Sequence, residues 1–148
     1  MAGAPETIRT ALYDYLLGVG FAIGGQTACV VKGDPIESNR FSGAPVIYIG
    51  QASPRTDNGS TSNGYFFTIR IPIVFECASF GSEEEDATAL GSVYDTFLGA
   101  MQARGCSGGF GSQGVLTFAM NDEDVTFLNS ATVGKAVTIE FSCYESNV

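Results

Sequence analysis

The sequence predicts an α+β fold, a single domain with a mostly antiparallel, twisted sheet and two helices packed on one face. Three observations predict it. From Tyr65 to Cys77 every odd position is apolar (Tyr65, Phe67, Ile69, Ile71, Ile73, Phe75, Cys77), while the even positions are mixed. That is the period of two of a long half-buried strand. Two further segments, 5–17 and 82–104, carry apolar residues at helical spacing. The resulting order of helix, strands, helix, strands favours helices on one face of an antiparallel sheet. A length of 148 residues fits one domain on a prior of roughly 150 residues, large enough to bury a core without disulfides.

The first helix is expected from Pro5 to about Leu17. Pro5 suits the first turn, where its missing N–H costs nothing. Ile8, Ala11, Leu12, Tyr15 and Leu16 make one apolar face, and Gly18 or Gly20 ends it. Thr27 to Lys32 is short and β-rich, and Gly33-Asp34-Pro35 turns the chain. Val46 to Ile49 reads as a strand, with Pro45 tolerated at its start. Residues 51–64 show no hydrophobic pattern and are expected to form a long mobile hairpin loop. After the long strand, Ser82 with Glu85 three residues on reads as a capping box. Glu83, Glu84, Glu85 and Asp86 then sit where the helix dipole favours negative charge, as a solvated helix start. Leu90, Val93, Tyr94, Phe97, Leu98 and Met101 form the apolar stripe. Gly105 to Gly114 is expected to be a flexible connector. Val115 to Met120 is a strand, 121–124 an acidic turn, and Val125 to Leu128 a short returning strand. Lys135 to Tyr144 closes the chain with Val137, Ile139, Phe141 and Cys143 inward.

Charge is uneven. Residues 1–74 hold five acids and five bases; residues 75–148 hold eleven acids and only Arg104 and Lys135 as bases, so the net charge of −9 lies in the second half. Such a surface repels nucleic-acid backbones and suits a basic partner or plain solubility. No basic-then-apolar leader and no apolar run near ~18 residues is visible, so neither a signal peptide nor a membrane helix is expected. Cys29, Cys77, Cys106 and Cys143 form no CxxC pair. They are expected to be free thiols in a reducing compartment, with Cys29, Cys77 and Cys143 on buried strand faces.

Catalytic chemistry finds little footing, and neither an enzyme nor a cofactor is expected. The chain has no His, which removes His-based nucleophile activation. Neither Lys32 nor Lys135 lies in a recognisable motif. The glycine-rich stretch from Gly105 to Gly111 lacks a Gly-Lys-Ser/Thr ending and leads into a strand, unlike a phosphate loop. Counting a calcium loop from Asp122 puts Phe127 where Gly is needed and Val133 where Glu is needed. Arg70, on the outer face of the long strand, is either an ordinary solvent-facing residue or half of a subunit-interface ion pair. The second face of that strand keeps Phe66, Pro72 and Val74, more apolar than solvation requires. Arg55, Asp57, Phe66, Arg70 and Pro72 are therefore the candidate subunit or partner contacts.

The N-terminal helix, the strand Tyr65-Phe66-Phe67-Thr68-Ile69-Arg70-Ile71-Pro72-Ile73-Val74-Phe75, the helix from Ser82 to Arg104 and the closing strand from Ala136 to Tyr144 together resemble the tail terminator proteins of long-tailed bacteriophages. The resemblance spans nearly the whole chain and rests on element order, size and texture. It implies a protomer of a homo-oligomeric, six-membered ring in the neck of the virion, assembled in the host cytoplasm. The ring would end polymerisation of the tail tube protein and meet the head connector or head-closure protein. Other head–tail joining, tail completion or minor tail proteins look alike at this level. A small-ligand-binding α+β domain is the reading from another class. DNA would pass through such a ring without specific binding, and Glu83, Glu84, Glu85, Asp122, Asp124 and Glu140 are the candidate acids lining its channel.

Overall fold

The computed structural model describes residues 3–33, 44–122, 126–127 and 132–146. In chain order the elements are α1 (Ala4–Val19), β1 (Phe21–Ile23), β2 (Gln26–Lys32), β3 (Val46–Ile49), β4 (Thr56–Thr61), β5 (Gly64–Ala78), α2 (Glu83–Arg104), β6 (Gly114–Asp122), β7 (Thr126–Phe127) and β8 (Thr132–Ser146). The strands form one mixed sheet in the order β1-β2-β3-β5-β8-β6, with β4 also on β5 and β7 also on β8. Among the described pairs only β2 and β3 run parallel.

The alternating segment is the spine of the sheet. β5 pairs with β8 along its whole length, from Gly64 opposite Ser146 to Ala78 opposite Thr132. Its other edge is shared: β4 covers Gly64 to Thr68 and β3 covers Ile73 to Glu76. Both helices lie on the face that receives the odd positions of β5. Ile8, Leu12 and Leu16 from α1 and Leu90, Val93, Phe97 and Met101 from α2 are buried in one cluster with Phe67, Ile69, Ile71, Ile73, Phe75 and Cys77. The Phe97 ring meets Phe75 edge-on at 5.4 Å and Phe21 at 6.2 Å. The Tyr15 hydroxyl donates to the Ala100 carbonyl at 2.7 Å, joining the two helices directly.

Salt contacts fix the other end of α1. Lys32 Nζ lies 3.2 Å from Glu6 and donates to Thr10 Oγ1 at 3.0 Å, while Arg9 donates to the Ile49 carbonyl at 3.0 Å. Partial burial pushes the Glu6 carboxyl up, but the Lys32 hydrogen bond and the charges of Arg9 and Lys32 outweigh it, so the group sits below its ordinary range.

Several expectations need correction. Residues 51–64 are not one loop. Thr56–Thr61 is a strand, turned back into β5 by Ser62 and Asn63, and all six of its residues are exposed. With no buried face it leaves no hydrophobic period to detect; ladder bonds and the contact of Asn58 Nδ2 with Thr68 Oγ1 hold it. The β-rich start at Thr27 is preceded by β1, folded onto β2 by Gly24 and Gly25, whose φ of 61° and 84° suit a two-residue hairpin turn. That turn pairs Phe21 with Ala28, so Ala28 and Val30 face inward and Cys29 is exposed rather than buried.

The glycine-rich connector is pinned. The Arg104 guanidinium stacks 3.7 Å over the buried Phe110 ring and donates to the carbonyls of Gly105 and Gly109. Gly109, at φ 70°, lies where a Cβ would come within 2.3 Å of the Gln113 carbonyl oxygen. In the acidic turn β6 runs on through Asp122, while Glu123 and Asp124 lie outside the described residues.

The thiols give a direct check on this register. Burial, with the nearby charges of Asp86 and Glu76, pushes Cys77 up to about 11, and burial does the same for Cys143. A thiol reagent added to native protein at mildly alkaline pH is expected to label Cys29 first and half-buried Cys106 more slowly. Cys77 and Cys143 should react only after unfolding. Peptide mapping of the labelled sites that found Cys77 ahead of Cys29 would overturn the assigned strand phase.

Candidate assembly surface

The even positions of β5 and β8 build the face of the sheet turned away from the helices. Because the two strands are in register, its side chains come as directly opposed pairs: Phe66 with Tyr144, Thr68 with Ser142, Arg70 with Glu140 and Pro72 with Thr138. The Phe66 and Tyr144 rings are 5.1 Å apart, and Phe66 remains 36% exposed. Arg70 Nε donates to Glu140 Oε2 at 2.9 Å. This exposed pair contributes about 0.2–1 kcal/mol. Its importance is that it occupies both charges: Arg70 is bonded within its own chain, and Glu140 is neutralised by it.

Pro72 has a local reason to be in a central strand. It sits where the partner of β5 changes from β3 to β4, so no neighbour needs an N–H there. Its carbonyl accepts from Gly50 N at 2.8 Å, and two residues away Ser53 closes the gap, bonding the Arg70 carbonyl and amide at 2.8 and 2.9 Å. Gly50 is required beneath the ring, since a Cβ there would come within 2.6 Å of Pro72 Cγ.

Arg55 and Asp57 do not join this surface. Asp57 is opposite Phe67, an inward residue. The Arg55 guanidinium lies 4.0 Å over the Phe67 ring and bonds Asp57 at 3.1 Å and Glu145 at 2.8 Å. The hydrogen bond from Arg55 to Glu145 raises the guanidinium pKa further. Arg55 thus shields one end of the core.

The candidate channel acids do not converge either. Glu83, Glu84 and Glu85 are exposed on the first turn of α2, on the helix side of the sheet, whereas Glu140 is on the outer side. Asp122 ends β6 opposite Val137, and Asp124 lies outside the described residues. Ser82 Oγ accepts from Glu85 N at 3.2 Å, the expected cap. Asp86 departs from the solvated helix start: it is fully buried, accepting from Ser79 Oγ at 2.9 Å and from Phe80 N at 2.7 Å.

Among the described residues no three His, Cys, Asp or Glu side chains gather as a metal site, and no helix is long and apolar enough to cross a membrane. The chain matches no protein-family model, and no curated protein is similar enough to count as a match.

Proposed function

We propose that this chain is a structural, ring-forming protein of the bacteriophage tail. It would cap the tail tube, end its polymerisation and join it to the head connector. The observation that carries this reading is the outer face of β5 and β8. It is a long ribbon in full register, facing away from both described helices, with Phe66 and Pro72 exposed to a neighbour and the Phe66 ring paired with Tyr144. The element order that resembles tail terminators supports it as well. The net charge of −9 suits a ring through which DNA slides, because phosphate contacts would otherwise hold the duplex. Glu140 belongs with the contact surface, since it orients Arg70.

The test is oligomeric state coupled to tube growth. Native mass spectrometry of the purified chain should give a closed ring, and adding it to growing tail tubes should arrest elongation. A double change of Phe66→Ser and Arg70→Glu should leave a folded monomer that no longer arrests growth. The two substitutions disturb exposed cross-strand pairs, each contributing only about 0.2–1 kcal/mol. A wild-type chain that stays monomeric with tubes present, and lets them elongate, would refute the reading.

A further inference from the structure

We propose that the groove between the free edge of β1 and the first half of α2 receives an extended, basic segment of a partner protein, which adds to the sheet as a further strand. The groove encloses about 1110 Å³. One wall is the β1 hairpin, with Ala22 and the turn glycines Gly24 and Gly25; the other is the small, hydroxyl-bearing side of α2 with Thr88 and Ser92. All five residues are exposed. Phe80 closes one end, its ring so near Gly24 that a Cβ there would lie 2.2 Å from it.

Backbone geometry specifies a strand as the occupant. Among the described strands β1 is the outermost of the sheet order and pairs only with β2. The two-residue turn makes Ile23 and Gln26 the hydrogen-bonded pair that closes the hairpin. The N–H and C=O of Ala22 therefore point away from β2, out of the edge of the sheet, and Ala22 lines the groove together with α2. An exposed sheet edge is where an extended peptide adds as a strand, with main-chain bonds holding the ligand and alternate side chains selecting it.

Charge specifies its chemistry. Glu84 and Glu85 line the groove, Glu83 adjoins them, and no Lys or Arg is among the described lining residues. Three carboxylates outweigh the roughly +0.5 charge of a helix N-terminus. None of the three pairs with a base among the described ion pairs, unlike Glu6, Asp57, Glu140 and Glu145. This inference does not depend on ring formation. It assigns Glu84 and Glu85 to a basic partner in place of a channel wall.

The probe is an acetylated, amidated hexapeptide of alternating valine and lysine, titrated into the full chain and followed by amide shifts and hydrogen exchange. Binding should protect the Ala22 amide and weaken with salt. Glu84→Lys with Glu85→Lys should weaken it by roughly tenfold or more, with a cooperative melting transition, lowered only by the few degrees that reversed charge at a helix N-terminus costs, showing that the variant is folded. Two further peptides, one N-methylated at every valine and one at every lysine, separate strand addition from charge adhesion. In a bound strand only alternate N–H groups face the edge, so one of the two should lose binding and the other keep it. No binding at millimolar peptide, or equal behaviour of both methylated peptides, overturns the proposal. So does concentration-dependent protection of Ala22 without peptide, which would assign the groove to a second copy of this chain.

Discussion

Phe97→Ala is expected to lower the stability of the fold by about 3–5 kcal/mol. Phe97 is fully buried where α2 meets the sheet, edge-on to Phe75 on β5 and tilted against Phe21 on β1. Truncation removes the ring's transfer energy and leaves a cavity bounded by two other rings, which packed strands cannot close. Domains are stable by only about 5–15 kcal/mol, so about a fifth of the total or more would be lost. At about 2–4 °C per kcal/mol for a chain of this size, the melting temperature should fall by roughly 6–20 °C. Phe66→Ala is the internal comparison: its ring is 36% exposed on the outer face and should cost far less. Chemical denaturation of both variants checks the order. A loss at Phe97 no larger than at Phe66 would mean that α2 does not pack as described.

The same two phenylalanines show why some of this fold is legible in the sequence. Phe97 belongs to a helical stripe and Phe66 to the outer phase of a strand, and both periods arise because a core exists on one side only. Where no side chain is buried, the period vanishes. β4 is six exposed residues, and only its register with β5 reveals it. β1 had a usable signal, a Phe-Ala-Ile run ended by two glycines, but three residues are too few to establish a period. The phase of β2 depends on that missed turn, which is why Cys29 changes sides. At the assembly surface, the outward positions of Phe66, Arg70 and Pro72 follow from alternation alone. Their partners do not, because Tyr144 and Glu140 are set by a pairing more than sixty residues away in sequence. Arg55 lacked any sequence signal for its place over Phe67, since that contact depends on the register of β4.

Asp86→Ala should be the second costly change, at about 3 kcal/mol or more, because two hydrogen bonds to a charged group contribute about 1.5–3 kcal/mol each. Composition groups Asp86 with Glu83, Glu84 and Glu85, but helical phase separates it. Asp86 stands four residues before Leu90 and so falls on the apolar stripe, fully buried, while the three glutamates are exposed. Its carboxylate gathers Ser79 Oγ and Phe80 N, and so fixes the turn from β5 into α2. Alanine leaves the Phe80 amide without an acceptor. Asparagine keeps one oxygen for that amide and offers its N–H to the Ser79 hydroxyl, so Asp86→Asn should lose only about half as much. Glu84→Ala, on the solvent side of the same turn, should stay within about 0.5 kcal/mol of wild type. Denaturant midpoints for the three variants give the ranking, and hydrogen exchange at Phe80 gives the mechanism: its amide should exchange faster in the alanine variant by local opening of the turn. Equal costs for Asp86→Ala and Glu84→Ala would return Asp86 to the solvated helix start that composition alone suggests. A large cost with a fast Phe80 amide would instead tie this one carboxylate to the end wall of the β1–α2 groove, since the turn it holds carries the Phe80 ring onto Gly24.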